Sequence, residues 1–209
     1  MNFKSLWSIL NEICNEDTRL DQKHRKLEFL TTDRYVQKYL KPNCRILEVG
    51  AGTGRYSLYY ASQGYKVNSI EYVQHNLDVL KSKITDNMNI VAEQGDAIDL
   101  SRFEDNIFDI VLVLGPLYHL YTEEEINKCI NEAKRVCKNN GIMMFAYLPN
   151  DSIMISWALL KGHLKFGYDN KRFDQNFKII SEPSEIMRAF YIDELEKIMN
   201  SNNIEKINN

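Results

Sequence analysis

Apolar positions along this chain switch between two spacings, and the switches mark out its elements. Phe3, Leu6, Trp7, Leu10 and Ile13 recur three or four residues apart, which predicts an amphipathic helix over residues 3 to 14. Leu27, Leu30, Val36, Tyr39 and Leu40 predict a second helical region, ending before Pro42 because a residue ahead of proline is biased away from helix. From Cys44 onward, short apolar runs alternate with helical spacings. Strands are predicted at Arg45 to Val49, Lys66 to Ile70, Ile90 to Glu93, Phe108 to Leu114 and Ile142 to Leu148. The run FDIVLVL at 108–114 is nearly unbroken, as a central parallel strand buried on both faces requires. Intervening helices carry Leu58 and Ala61, with Gly64 as a C-terminal cap, and Leu77, Leu80 and Ile84. Thr122 to Glu125 reads as a capping box. It opens a helix with Ile126, Cys129, Ile130, Ala133, Val136 and Cys137 on one face, and Gly141 is its predicted stop.

Parallel neighbours need crossovers, so five strand-helix repeats imply an α/β fold with a doubly wound, mainly parallel sheet. Past Pro149 the pattern changes. Trp157, Leu160 and Leu164 predict a helix over 153–164, followed by a polar, aromatic-dotted stretch to Phe177. That insertion reads either as a lid or as an extra packing helix. Tyr191 to Met199 predicts one more helix, and Ile204 to Ile207 the start of a sixth strand. The expected organisation is one domain: a helical cap over 1–41, an α/β core over 42–148, and a lid-like insertion with a C-terminal helix over 149–209.

Composition narrows the function classes. The 209 residues are 44% hydrophobic, which suits one globular domain with a substantial core. Twenty-six basic against twenty-nine acidic residues leave a formal charge of −3. No basic excess or stripe of the kind that tracks nucleic acid is visible, so a small-molecule substrate is expected and no nucleic acid. Cys14, Cys44, Cys129 and Cys137 form no C-x-x-C pair, so neither a zinc site nor a disulfide framework is expected, and a reducing cytosol is. The first fourteen residues lack the pattern of a signal peptide, and no run approaches eighteen apolar residues, so no membrane association is expected.

The chemistry centres on Arg45 to Tyr56, RILEVGAGTGRY. Gly50, Gly52 and Gly54 alternate where a strand turns into a helix, a turn that needs backbone angles forbidden to residues with a Cβ and that lets a ligand lie against bare backbone. In open parallel sheets the ligand crevice lies beyond the carboxyl ends of the strands. Glu71 falls there after the second strand, Asp96 after the third and Gly115 to His119 after the fourth.

These residues resemble the class I S-adenosylmethionine-dependent methyltransferases, over roughly Leu27 to Leu148 and more weakly to Met199. LEVGAGTGRY looks like the family's acidic-x-Gly-x-Gly-x-Gly signature, with Glu48 as its acidic member. The resemblance implies a Rossmann-like methyltransferase fold with S-adenosyl-L-methionine as cofactor. Glu71 would bind both ribose hydroxyls, Asp96 the adenine amino group, and Ala97 the ring through its backbone amide. Ala51, Tyr72, Leu114 and Gly115 join the cofactor-binding set by position. Glu48 would fix the amides of the turn, or reach the cofactor's amino group indirectly.

FDIVLVLGPLYHL resembles the fourth motif of the branch that holds the ubiquinone- and menaquinone-type small-molecule methylases. The expected function is methyl transfer to an O, N or C nucleophile of a small molecule. His119 and Tyr118 are the candidate catalytic residues, His119 as general base and Tyr118 also as a wall of the pocket. Arg19, Arg55, Tyr35 and Tyr56 are candidates for gripping the methionine carboxylate or an acidic substrate. Gly115 to His119 offers no acidic ligands, so no metal is expected.

One departure stands out. The family's sheet ends in an antiparallel strand pair, and only ten residues follow Met199. The C-terminal strand pair is therefore expected to be incomplete. Either the fifth strand is left as an exposed edge, open to pairing with a second copy, or residues 177 to 190 supply an edge strand. Two rival functions follow: a noncatalytic S-adenosylmethionine-binding protein, and an NAD-dependent oxidoreductase that reads Gly52, Gly54 and Ser57 as its turn.

Overall fold

A computed structural model describes residues 23–181 and 187–207. The predicted helix over 3–14, with Cys14 and Arg19, lies outside the described residues. Helix α1 (Lys23–Gln37) leads into β1 (Arg45–Val49), α2 (Arg55–Ser62), β2 (Lys66–Glu71), α3 (Gln74–Ser82), β3 (Ile90–Gln94) and β4 (Phe108–Val113). A 3-10 turn (Pro116–His119) precedes α4 (Glu123–Val136) and β5 (Cys137–Phe145). All five strands are parallel, in the order β3-β2-β1-β4-β5. The order reverses beside β1, which puts the crevice of the doubly wound sheet beyond the ends of β1 and β4.

Both faces of the sheet are covered because alternate side chains of each strand enter separate cores. Leu47, Val49, Val111 and Val113 pack with Ile126, Cys129, Ile130 and Ala133 of α4. Ile46, Ile110 and Leu112 pack on the other face with Val36 of α1 and with Tyr60 and Ala61 of α2. Helix α1 is pinned to α2 by Asp33, which accepts hydrogen bonds from the Tyr59 hydroxyl at 3.2 Å and the Tyr60 hydroxyl at 3.1 Å.

Helix α4 opens with the expected capping box, in which the Glu125 amide donates to Thr122 Oγ1 at 3.1 Å and the Thr122 amide to the Glu125 carboxylate at 3.2 Å. Its other end corrects the sequence reading. The helix stops at Val136, not at Gly141, because the carbonyls of Arg135 and Val136 accept from the amides of Asn106 and Ile107 at 2.9 and 3.0 Å. Gly141 lies inside β5, beside the register irregularity opposite Phe108 to Ile110 and after Asn140 at a left-handed φ of 66°. A Cβ on Gly141 would sit 2.6 Å from Cys137 Sγ.

Beyond β5 the expected single helix is broken. A short α5 (Asn150–Ile153), a π-helical stretch (Met154–Leu160) and α6 (Leu164–Asp169) follow one another, with Gly162 at φ 72° separating the last two. Buried Asn150 ties the start of this segment to its far side: its amide donates to the Phe177 carbonyl at 3.1 Å and its Oδ1 accepts from the Ile179 amide at 2.8 Å.

Two-residue strands β6 (Leu148–Pro149) and β7 (Ala189–Phe190) pair in parallel, apart from the main sheet. Residues 189 and 190 therefore line the chain beyond β5, while among the described residues nothing pairs with the outer edge of β5 itself. Helix α7 (Ile192–Ser201) closes the described chain. Ile204 to Ile207 do not begin a strand: the Ile204 amide folds back to the Met199 carbonyl at 3.0 Å, past Asn203 at φ 54°, which is a helix C-terminal cap. No helix of the described residues is long and apolar enough to cross a membrane.

Candidate functional site

The turn after β1 is held from beneath by β2. The amides of Gly50 and Ala51 both reach the Ile70 carbonyl, at 2.8 and 3.1 Å, and the Gly54 amide closes the turn on the Ala51 carbonyl at 2.9 Å. Gly50 and Gly54 are required by contact as well as by angle. At φ 75° a Cβ on Gly50 would meet the Pro116 ring at 2.9 Å, and at φ 87° one on Gly54 would meet Leu80 Cγ at 2.6 Å. Gly52 differs: at φ 56° its Cβ position has no atom within 4 Å, so bare backbone faces open space.

Glu71 joins that turn. Its Oε2 accepts the Gly52 amide at 2.7 Å and its Oε1 the Val73 amide at 2.8 Å, so this buried carboxylate is oriented by backbone from both sides. Each oxygen of a carboxylate can accept more than one donor. The Gly95 amide donates to the Glu71 carbonyl at 3.1 Å, which brings the turn after β3 alongside. There Asp96 is half-buried, its carboxylate accepting the Ile98 amide at 3.3 Å, and Ala97 is buried in the core with Leu117. Tyr72 is exposed and its carbonyl accepts the Gln94 side-chain amide at 3.2 Å.

The fourth strand delivers the opposite wall. Gly115 lies against the Gly50 carbonyl, with its Cβ position 3.6 Å from that oxygen and from the Tyr118 hydroxyl. The Tyr118 hydroxyl donates to the Leu114 carbonyl at 3.3 Å, and its ring packs edge-on against His119 at 4.6 Å. The Tyr118 carbonyl accepts the Arg188 amide at 2.7 Å, and the Arg188 guanidinium reaches the Tyr121 carbonyl at 2.8 Å and Glu194 at 3.0 Å. The C-terminal segment thereby braces the loop that carries His119. Nothing in the sequence singled out Arg188, since its partners lie 67 residues upstream at Tyr121 and 6 downstream at Glu194.

Glu48 sits lower, between β1, α2 and β2. One carboxyl oxygen accepts both the Ser57 amide, at 2.8 Å, and the Ser57 hydroxyl, and the Ser69 hydroxyl donates to Ser57 Oγ at 2.6 Å. All three residues are buried. Burial, with the Glu71 carboxylate nearby, pushes the Glu48 carboxyl up to about 8 against the Ser57 donors, which pull it down. The sequence reading used Ser57 only as a turn residue of the oxidoreductase rival and left out Ser69, because two serines on different elements carry no local pattern.

The remaining candidates divide. Arg55 lies over the Phe29 ring at 4.8 Å, and Tyr56 packs on the same ring at 5.1 Å, so both help seat α1 on the start of α2. Burial raises the Tyr56 phenol to about 12. Tyr35 is exposed, with Lys38 over its ring at 4.7 Å. Thus Glu48, Gly50, Gly52, Gly54, Glu71, Asp96, Gly115 and Tyr118 come to one end of the sheet, while Tyr35 packs with its own helix's end. Among the described residues, no three His, Cys, Asp or Glu side chains gather as a metal site.

Against known proteins, residues 47–145 match the family model described as a methyltransferase domain. A Bacillus subtilis (strain 168) protein carrying the name methyltransferase YqeM is 25% identical over 112 residues, which is 54% of this chain and 45% of that protein. The match therefore spans less than half of that relative. Two solved structures share the fold. One is a crystal structure titled as a SAM-dependent methyltransferase from Methanosarcina mazei, with TM-score 0.63 and 21% identity over 80% of this chain and 82% of that one. The other is the PH0226 protein from Pyrococcus horikoshii OT3, with TM-score 0.64 and 19% identity over 87% of this chain and 83% of that one.

Proposed function

We propose that the protein, whose residues 47–145 match the methyltransferase domain model, is a class I S-adenosylmethionine-dependent methyltransferase that moves a methyl group to an O, N or C nucleophile of a small molecule. The observation that carries this reading is the Glu71 carboxylate lying 2.7 Å from the amide of Gly52, the one of the three turn glycines whose Cβ position meets no atom within 4 Å. The residues suit a nucleoside: a buried carboxylate whose two oxygens are the chemical match for two vicinal hydroxyls, bare glycine backbone beside it, and Asp96 on the adjoining turn for an exocyclic amine.

S-adenosylmethionine supplies, when bound, a methyl group on a sulfonium that is already a good leaving group. The chain's own task is positioning, for which about 7 to 11 kcal/mol of barrier lowering is available in well-aligned reactions. Glu71 accepts the ribose hydroxyls, Asp96 and the Ala97 amide take the adenine edge, and Gly50 to Gly54 hold the remainder, with Ala51, Tyr72, Leu114 and Gly115 lining it. His119 takes the acceptor's proton where the acceptor must lose one, and Tyr118 walls the pocket. Three buried thiols, Cys44, Cys129 and Cys137, suit a cytoplasmic, reducing setting.

Titration calorimetry with S-adenosylmethionine, its homocysteine product and NAD tests the cofactor. Heat with the first two is expected, and heat with NAD alone overturns the reading. Transfer of labelled methyl to pools of small-molecule acceptors tests the activity. Tight donor binding with no transfer to any pool would leave a silent binder in place of an enzyme.

A further inference from the structure

The arrangement around Glu48 bears on how a cationic ligand is received. The carboxyl group is buried at the end of β1, two residues before Gly50, and shares one oxygen between two donors of Ser57. Behind Ser57 stands the Ser69 hydroxyl, so a chain of hydroxyls runs from β2 through α2 to β1. The groups facing Glu48 from the surrounding elements are Glu71 on β2, and Tyr56 and Tyr60 on α2. Tyr60 donates in turn to Asp33 of α1 at 3.1 Å. The register partner of Glu48 on β4 is the apolar Leu112.

A carboxylate in this position is opposed by desolvation and by Glu71, and favoured by the Ser57 amide and the hydroxyl chain. A positive charge seated on the glycine turn would tip that balance. S-adenosylmethionine brings two, a sulfonium and an ammonium.

We propose that Glu48 is a carboxylic acid in the donor-free protein and a carboxylate beneath the bound donor, so that seating the cation on the turn releases one proton to solvent. Ser57 and Ser69 are the positioning residues that stabilise the ionised form. The inference rests on the methyl-donor reading above. The step is a plain ionisation: the O–H bond of Glu48 breaks, the proton passes to buffer, and the electron pair stays on the carboxylate. Its consequence is that donor affinity increases with pH across the neutral range, and the negative charge appears in the core only when its partner is there to meet it.

Calorimetry of S-adenosylmethionine binding in phosphate and in Tris at pH 7 measures the protons released, because the two buffers take up a proton with different heats. About one proton per donor bound is expected, with affinity rising roughly tenfold per pH unit from about 6 to 8. Glu48→Gln keeps an acceptor for Ser57 but cannot ionise, and its release should fall by about one proton relative to the wild type. That subtraction also removes any contribution of the donor's own ammonium, which titrates near 8. Ser69→Ala shortens the hydroxyl chain and should move the affinity profile to higher pH, a shift that a purely structural role for Ser69 does not produce. Donor binding with equal heats in both buffers overturns the inference and leaves the methyl-donor reading standing. No donor binding at any pH overturns both.

Discussion

The Glu71 carboxylate and the Gly52 amide meet at 2.7 Å across nineteen residues of sequence, joining the end of β2 to the crown of the turn after β1. A charge-assisted hydrogen bond of this kind fixes the direction of the acid before any ligand arrives. The same contact makes the turn report on the acid, and the acid on the turn.

Glu71→Ala removes the proposed ribose acceptor and the support of two amides. Charge-assisted hydrogen bonds contribute about 1.5 to 3 kcal/mol each, so S-adenosylmethionine binding should weaken at least about tenfold. Calorimetry checks it, and unchanged affinity would remove Glu71 from the site.

The three turn glycines separate stability from binding. Gly54→Ala forces a Cβ to within 2.6 Å of Leu80 Cγ at φ 87°, and overpacking of this kind costs about 1 to 3 kcal/mol, visible as a lower melting temperature. Gly52→Ala carries only the backbone strain of φ 56°, of order 1 kcal/mol, but places a methyl in the open space proposed for the donor. It should melt closer to the wild type than Gly54→Ala does, and bind donor worse.

Folding stability should fall as pH rises, through Glu48. A carboxyl near 4.3 in the unfolded chain and about 8 in the fold binds its proton more tightly when folded. Its contribution is whole below about pH 4 and is lost progressively up to about 8. The donor-free wild type should therefore lose melting temperature between pH 5 and 8, and Glu48→Gln should lose less. Parallel curves for the two proteins would place the titration elsewhere.

His119→Ala and Tyr118→Phe divide the chemistry from the walls. As a general base His119 should contribute about 10² to 10⁴ in turnover, with donor affinity nearly unchanged. Tyr118→Phe loses a hydrogen bond to the Leu114 carbonyl and should cost well under that. A turnover loss below threefold for His119→Ala, with an acceptor in hand, assigns proton removal to another group or to none.

Asn150→Ala cuts both ties across the insertion, to Phe177 and Ile179. Amide exchange in residues 150–181 should accelerate ahead of the five-stranded core, since the lost bonds lie outside it. Uniform acceleration through β1 and β4 would mean that the insertion and the sheet open together.

Much of this architecture was legible without coordinates because it is written locally. The strand at 108–114 showed as an apolar run, the α4 start as a capping box, and the turn as glycines at alternate positions, each set by neighbours in sequence. Even the strand ends carrying Glu71 and Asp96 followed from the rule that parallel sheets gather their ligands at one end.

What depended on distant partners was not legible. Helix α4 ends where Asn106 and Ile107 take its last carbonyls, twenty-nine residues back along the chain, so Gly141 was misread as its stop. The predicted sixth strand became a helix cap because Ile204 found the Met199 carbonyl before any strand partner. The sequence by itself determined the five strands of the main sheet, the helices between them and which carboxylates stand at the strand ends. Only the tertiary structure decided that Glu71 grasps the turn, that Ser57 and Ser69 stand behind Glu48, and that Glu48 is buried near Glu71, where desolvation raises its pKa, because contact and desolvation are properties of elements brought together and no stretch of chain carries them alone.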